Sequence, residues 1–201
     1  MNKITILNKG VHDHVEGGLE IDSTVTLIRG EKNIIVDTGW FYTDKKIIDS
    51  LKELNLTPDD IDIVVLTHTH IDHTLNTYLF DKALIYAKFA PKYFGQYHDP
   101  QNNILCRADV EDGTKLMKGV EILLTPGHTG DSISVVVDTE QGKIVIAGDA
   151  IAEKSLVDLD KKPVEMLVYS VEEYEKSRKK ILEIADYIVP GHGDIFKNET
   201  K

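Results

Sequence analysis

The chain has 201 residues, 41% of them hydrophobic and 28% charged, with 34 acids against 23 bases and a formal net charge of -11. Its length suits one domain with a real core, residues 1–201, rather than two, and no apolar run approaches the ~20 residues that span a bilayer. So acidic a balance repels phosphate backbones and disfavours nucleic-acid binding unless a basic patch or metal ions oppose it.

The opening stretch, "MNKITILNKGVHDHVEGG", has a strand-like run at "KITIL" but no secretory apolar region or small-residue cleavage site, so the cytoplasm is the expected location. The polar "VHDHVEGG" reads as a loop, and its His12 and His14 are either solvated or folded over to contact substrate. Further β-type runs come at "STVTLI", "NIIVDTG", "IDIVVLTH", "ALIYA", "EILLTPGH", "SISVVVD", "KIVIAGD" and "DYIVPGH". Helical patterns interrupt them. Thr43 is placed to cap a helix with Ile47, Ile48, Leu51 and Leu54 on one face, and Pro58 suits the first turn of a short one. Cys106, the single cysteine, excludes an intramolecular disulfide and fits a reducing compartment. Near the C-terminus, Ser170 and Glu173 form a capping-box signature for a helix whose inward stripe is Tyr174, Ile181, Leu182 and Ala185. The basic Lys176 to Lys180 cluster lies on that helix and reads as a solvated face. The whole pattern is α/β, with sheets covered by helices.

Chemistry gathers where the strands end. "THTHIDHTLN" places His68, His70, Asp72 and His73 within one short segment behind an apolar run. Clustered imidazoles repel once protonated and each needs a partner for a ring nitrogen, so something must offset the cost. A divalent ion does so, and nitrogen with carboxylate donors suits zinc, iron or manganese. His68 and His70 alternate and can aim at one point; Asp72 and His73 follow once the chain turns and can aim at a neighbouring one. His128, Asp149 and His192 stand in the same position after later strands, in "TPGHTGDS", "IVIAGDA" and "IVPGHGD". His68, His70 and His128 are therefore expected on one metal, Asp72, His73 and His192 on a second, with Asp149 bridging them. Two such ions share a water and lower its pKa toward neutrality. The adjacent glycines permit close backbone approach around a compact centre.

"THTHIDH", "TPGHT", "AGDA" and "VPGHG", in that order and spacing, resemble the metallo-β-lactamase fold superfamily. The resemblance runs from about "STVTLIRG" to the C-terminus and implies a four-layer αββα sandwich with a dinuclear site at one edge between the sheets. More narrowly, "VTLIRG", "IIVDTG", "GDSISVVVD" and "EKSRKKILEIADYIVPGHG" are similar to the group around metallo-β-lactamase domain-containing protein 1. Common zinc β-lactamases carry cysteine where Asp149 stands, so the resemblance implies at most incidental β-lactam hydrolysis. It also implies that Asp37 in "VDTG" orients a histidine ligand through its free ring nitrogen. Glyoxalase II-like and RNA-processing relatives add a helical or an inserted domain, and neither is expected here. Thr69 stands where such proteins often have a smaller residue.

The expected function is a dinuclear metal-dependent hydrolase. Its metal-bridging hydroxide attacks a small ester, thioester or lactone, with Asp72 orienting that group or taking its proton. The runners-up are a metal-dependent phosphodiesterase or ribonuclease, and a mononuclear iron dioxygenase acting on a sulfur compound. A metal-stabilised binding protein without catalysis is the third class. Two divalent ions per chain are expected, zinc favoured over iron or manganese. A small molecule is the expected partner, nucleic acid stays open, no membrane is involved, and a homodimer is allowed. Tyr42, Tyr97, His98 and Tyr169 are unranked substrate contacts or proton donors, and Trp40 is placed to wall the pocket.

Overall fold

Period-two alternation decides how the sheets pack. In the computed structural model, residues 1–88 and 110–201 are described in full and 96–99 and 104–107 by their backbone. One sheet has the order β1-β4-β5-β6-β7-β8-β9. Its strands are β1 (Lys3–Asn8), β4 (Val25–Arg29), β5 (Asn33–Val36), β6 (Ile63–Val65), β7 (Leu84–Ala87), β8 (Gln96–Asp99) and β9 (Ile104–Arg107). The second runs β10-β11-β12-β13-β14-β15. It contains β10 (Lys115–Met117), β11 (Val120–Leu124), β12 (Ile133–Thr139), β13 (Gly142–Gly148), β14 (Tyr187–Pro190) and β15 (Phe196–Lys197). A hairpin of β2 (Val11–Val15) and β3 (Gly18–Asp22) stands apart.

In β5, Ile34 and Val36 face the second sheet while Ile35 faces outward. The inner layer joins Ile28, Ile63 and Val65 to Ile122, Val135, Ile146 and Val189 of the other sheet. Helix α1 (Thr43–Glu53) covers the first sheet's outer face with Ile47 and Leu51. The short α2 (Ile71–Thr74) begins directly after His70. Helix α3 (Val171–Ile184) covers the second sheet with Ile181 and Leu182 against Val145 and Ile188. These four layers are the αββα sandwich that the resemblance implies. Among the described residues, no helix is long and apolar enough to cross a membrane.

All nine apolar runs named above contain strands. Ser170 caps α3, accepting from Glu173 N at 3.3 Å, and the stripe Tyr174, Ile181, Leu182 and Ala185 is buried. Four local expectations need correction. The Lys176 to Lys180 face is not solvated throughout: Arg178 is fully buried and donates to the Leu156 carbonyl. Thr43 does not cap α1: Tyr42 takes the cap position, and the Thr43 hydroxyl instead donates to Asp22 Oδ2 at 2.7 Å. Ile48 is 40% exposed, because it lies one residue past Ile47 and so turns off the inward face. "VHDHV" is a strand paired with "GLEID", not a loop; both faces are largely solvated, so no apolar alternation marks it. The side chains of Tyr97, His98 and Cys106 lie outside the described residues.

Candidate metal centre

Parallel pairing brings distant strand ends together. β5, β6 and β7 are mutually parallel, as are β13 and β14. Asp37 follows β5, Thr67 and His68 follow β6, Asp149 follows β13, and the His192 turn follows β14. Ligands in open α/β sheets bind in the crevice outside such carboxyl ends. The His68 loop is tied across to the second sheet by Ile133 N donating to Thr67 O at 2.8 Å. Gly148 permits the closure of β13 on this loop: its φ is 51°, and a Cβ there would lie 2.6 Å from Thr67 Oγ1.

The seven sequence-predicted residues fall into two adjoining groups, His68, His70, His128 and Asp149 in one and Asp72, His73 and His192 in the other. Asp149 faces both. Its Oδ2 lies 3.3 Å from His128 Nε2 and 4.0 Å from His68 Nε2. Its Oδ1 lies 3.4 Å from His73 Nε2 and 3.3 Å from His192 Nε2. Asp72 Oδ2 stands 3.6 Å and 3.9 Å from the same two nitrogens. His128 Nε2 and His70 Nδ1 approach to 3.0 Å.

A hydrogen-bond relay sets which ring nitrogens point inward. Asp37 is 2% exposed and can only accept when ionised. Its Oδ1 accepts from Thr67 N, and its Oδ2 from Thr67 Oγ1 and from His73 Nδ1, each at 2.8 Å. With its proton committed to Asp37, the Thr67 hydroxyl accepts from His68 Nδ1 at 3.1 Å. His192 Nδ1 likewise donates to the Asp22 carbonyl at 2.8 Å. All three imidazoles therefore keep a proton on Nδ1 and turn Nε2 to the centre, the orientation a metal needs once Nε2 has given up any proton it holds. The expected contact between Asp37 and a histidine ring is thus made with His73.

Charge follows the same division. Burial, reinforced by the neighbouring His73, pushes His68 well below the usual imidazole range. Burial and His70 lower His128 as well. Burial also presses down on His73, but the Asp37 and Asp149 carboxylates outweigh it and hold this ring well above its ordinary value. His192 is raised in the same way, burial being overcome by Asp149. For Asp149, burial is opposed by His73 and His192, and the carboxyl is held well below the carboxylate range. An ionised acid thus sits among imidazoles.

The donor set fits divalent ions on an observation independent of resemblance. His68 Nε2, His73 Nε2 and Asp149 Oδ1 are buried without a hydrogen-bond partner. Each such atom costs about 1–3 kcal/mol when left unpaired, and these three converge where cations would satisfy them.

Several supports were not legible in the sequence. Thr67 relays Asp37 to His68. Asp22 is 7% exposed, accepts from Asn8, Trp40 N and Thr43, and carries the carbonyl that holds His192. Thr69 donates to Asp131 Oδ2 at 3.0 Å, joining the His68 and His128 loops. Of the unranked aromatics, Tyr42 is 82% and Tyr169 63% exposed, while Trp40 packs edge-on against Phe41. The Tyr169 amide donates to the His128 carbonyl at 3.0 Å. Burial, then the Asp149 charge, push the Tyr174 phenol up to about 12.

Taken together, the sandwich and its converging imidazoles and carboxylates define a metal-dependent hydrolase. The chain belongs to the metallo-β-lactamase superfamily, whose family model matches residues 19–192. It is 34% identical over 200 residues to metallo-β-lactamase domain-containing protein 1 of Xenopus laevis, covering 98% of this chain and 82% of that one. It is 38% identical over 171 residues to a probable metallo-hydrolase of Methanocaldococcus jannaschii, covering 83% and 73%. In fold it is similar to an N-acyl homoserine lactone hydrolase solved with N-hexanoyl-L-homoserine at its catalytic metal centre. That likeness has a TM-score of 0.68, 19% identity, and coverage of 95% and 92%.

Proposed function

We propose that this chain is a dinuclear metal-dependent hydrolase acting on a small ester, thioester or lactone. The observation that carries the reading is Asp149: each carboxylate oxygen faces a different imidazole group, and buried ring nitrogens on both sides lack partners. In this reading His68, His70 and His128 hold one ion, Asp72, His73 and His192 hold the other, and Asp149 serves both. Zinc is favoured by the nitrogen-rich donor set, with iron or manganese as alternatives. Divalent ions held by these residues would supply Lewis-acid polarisation of the scissile carbonyl and would lower the pKa of the attacking water toward neutrality.

The chain's own part is to keep lone pairs inward through Asp37, Thr67 and the Asp22 carbonyl, and to keep Asp149 ionised. Asp72, 7% exposed and beside His73 and His192, is positioned to orient the attacking water and take its proton. The net charge of -11 favours a small molecule over a polyanion. The lactone hydrolase of similar fold adds support for an acyl substrate.

The test is metal analysis of protein purified without added metal, followed by turnover of a panel of thioesters, esters and lactones against single-stranded RNA. Two ions per chain and acyl hydrolysis abolished by chelation are expected. Activity surviving full chelation sinks the reading; one iron per chain with oxygen uptake establishes the oxygenase instead, and preference for RNA the nuclease.

A further inference from the structure

The hairpin of β2 and β3 carries His12 to the edge of the centre. Its imidazole lies 5.4 Å, centroid to centroid, from the ring of His192, yet it belongs to neither candidate metal group. It is exposed, and its ring nitrogens make no hydrogen bond to a described residue. Its placement is nonetheless built in. Thr24 Oγ1 accepts from Gly10 N at 3.2 Å and from Gly193 N at 3.1 Å, and donates to Gly193 O at 2.9 Å. Thr24 N also donates to Gly191 O at 2.7 Å. The root of the hairpin and the His192 turn therefore hang from one buried residue, which ties the backbone two residues before His12 to the backbone on either side of His192.

Between them opens a cleft of ≈ 380 Å³ lined by Lys9, His12, Asp13, Glu153 and His192. Lys9 is already paired with Asp194 at 3.0 Å. Asp13 and Glu153 then leave the cleft negative, a field that repels anions and attracts cations. An uncommitted imidazole donor beside a candidate metal ligand, in an acidic cleft, is arranged for the departing half of a substrate.

We propose that His12 contacts the substrate's leaving group, in a cleft that selects neutral or cationic leaving groups. This rests on the hydrolytic reading above. As the acyl C–O bond breaks and the water oxygen bonds to the carbonyl carbon, the His12 N–H hydrogen-bonds the departing oxygen. The proton taken from water by Asp72 ends on that oxygen, giving alcohol and acid. The Asp13 and Glu153 carboxylates work against a leaving group rich in phosphate.

The test uses the holoenzyme and butyrate esters of choline, of its neutral isostere 3,3-dimethylbutanol, and of glycolate. The choline and neutral esters are expected to exceed the glycolate ester in kcat/KM by at least tenfold. His12→Leu should lower kcat/KM on them about ten- to hundredfold with both ions retained. His12→Gln, which restores an N–H donor, should recover much of the loss, and the control His14→Leu should stay within twofold of the unsubstituted protein. Glu153→Gln should narrow the choline-to-glycolate ratio. Independently of turnover, the ¹⁵N resonances of the His12 ring should move on titration with choline while those of His14 do not. Esters hydrolysed normally by His12→Leu, or loss of an ion in that variant, overturn the proposal and leave the hydrolase standing. Absence of turnover on these esters with no choline-dependent shift at His12 also overturns the proposal, and turnover of a thioester or lactone by the same holoenzyme then keeps the hydrolytic reading.

Discussion

Replacing Asp37 separates the cost of losing a buried acceptor from the consequence of turning an imidazole round. Its carboxylate takes three hydrogen bonds, from Thr67 N, Thr67 Oγ1 and His73 Nδ1, all from buried residues. Asp37→Ala leaves those donors without partners at about 1–3 kcal/mol each. It also places alanine at a φ of 58°, which adds roughly 1 kcal/mol. Allowing for relaxation, a loss of about 4–6 kcal/mol is expected, a large part of the ~5–15 kcal/mol by which domains are stable. Asp37→Asn should cost only about 1–2 kcal/mol, because its oxygen still accepts from Thr67 N and asparagine tolerates the left-handed region. Its amide, however, donates where Oδ2 accepted. His73 then accepts at Nδ1 and carries its proton on Nε2, the atom that faces Asp149 and Asp72. The fold should survive while affinity for the ion at the Asp72, His73 and His192 group falls about 10- to 100-fold. Urea unfolding of the chelator-treated protein measures the first effect, and competition against a chromophoric chelator the second. An Asp37→Asn protein that keeps both ions at unchanged affinity refutes the tautomer argument.

Gly191→Ala would place a Cβ 1.9 Å from Asp149 Oδ1 and 3.0 Å from the Gly148 carbonyl carbon. It should displace the carboxylate that faces both groups, so metal analysis should find fewer than two ions per chain although the protein folds. Arg178, fully buried, donates to the carbonyls of Leu156, Asp158 and Lys161; Arg178→Met should lower stability by about 2–4 kcal/mol, read as a reduced urea midpoint with unchanged slope. Acidification should empty the two groups in order. His73 and His192 are raised and so bind protons at higher pH, whereas His68 and His128 are lowered and compete only further down. Ion uptake at the Asp72, His73 and His192 group should therefore weaken first as pH falls, and calorimetry in buffers of different ionisation enthalpy should detect protons released on binding there.

The covering helices and central strands were legible because their signals are local: the apolar faces of α1 and α3, the Ser170 cap, and the runs that became β4 to β7 and β11 to β14. The β2 and β3 hairpin was not, since a ribbon solvated on both faces leaves no alternating apolar trace. Its one local signal is the two-residue Glu16-Gly17 turn between paired segments.

By itself the sequence pointed to the residues that gather at the candidate metal centre, because His68, His70, Asp72 and His73 are neighbours in the chain and His128, Asp149 and His192 each close a recognisable strand. Only the tertiary structure decided how those side chains present themselves. The Asp22 carbonyl that orients His192 is 170 residues away, and Thr24 is 169 residues from the glycine it binds. Asp37 reaches His73 across 36 residues. Such bonds depend on which strand ends lie side by side in space, and local periodicity records a strand's facing but not its neighbour.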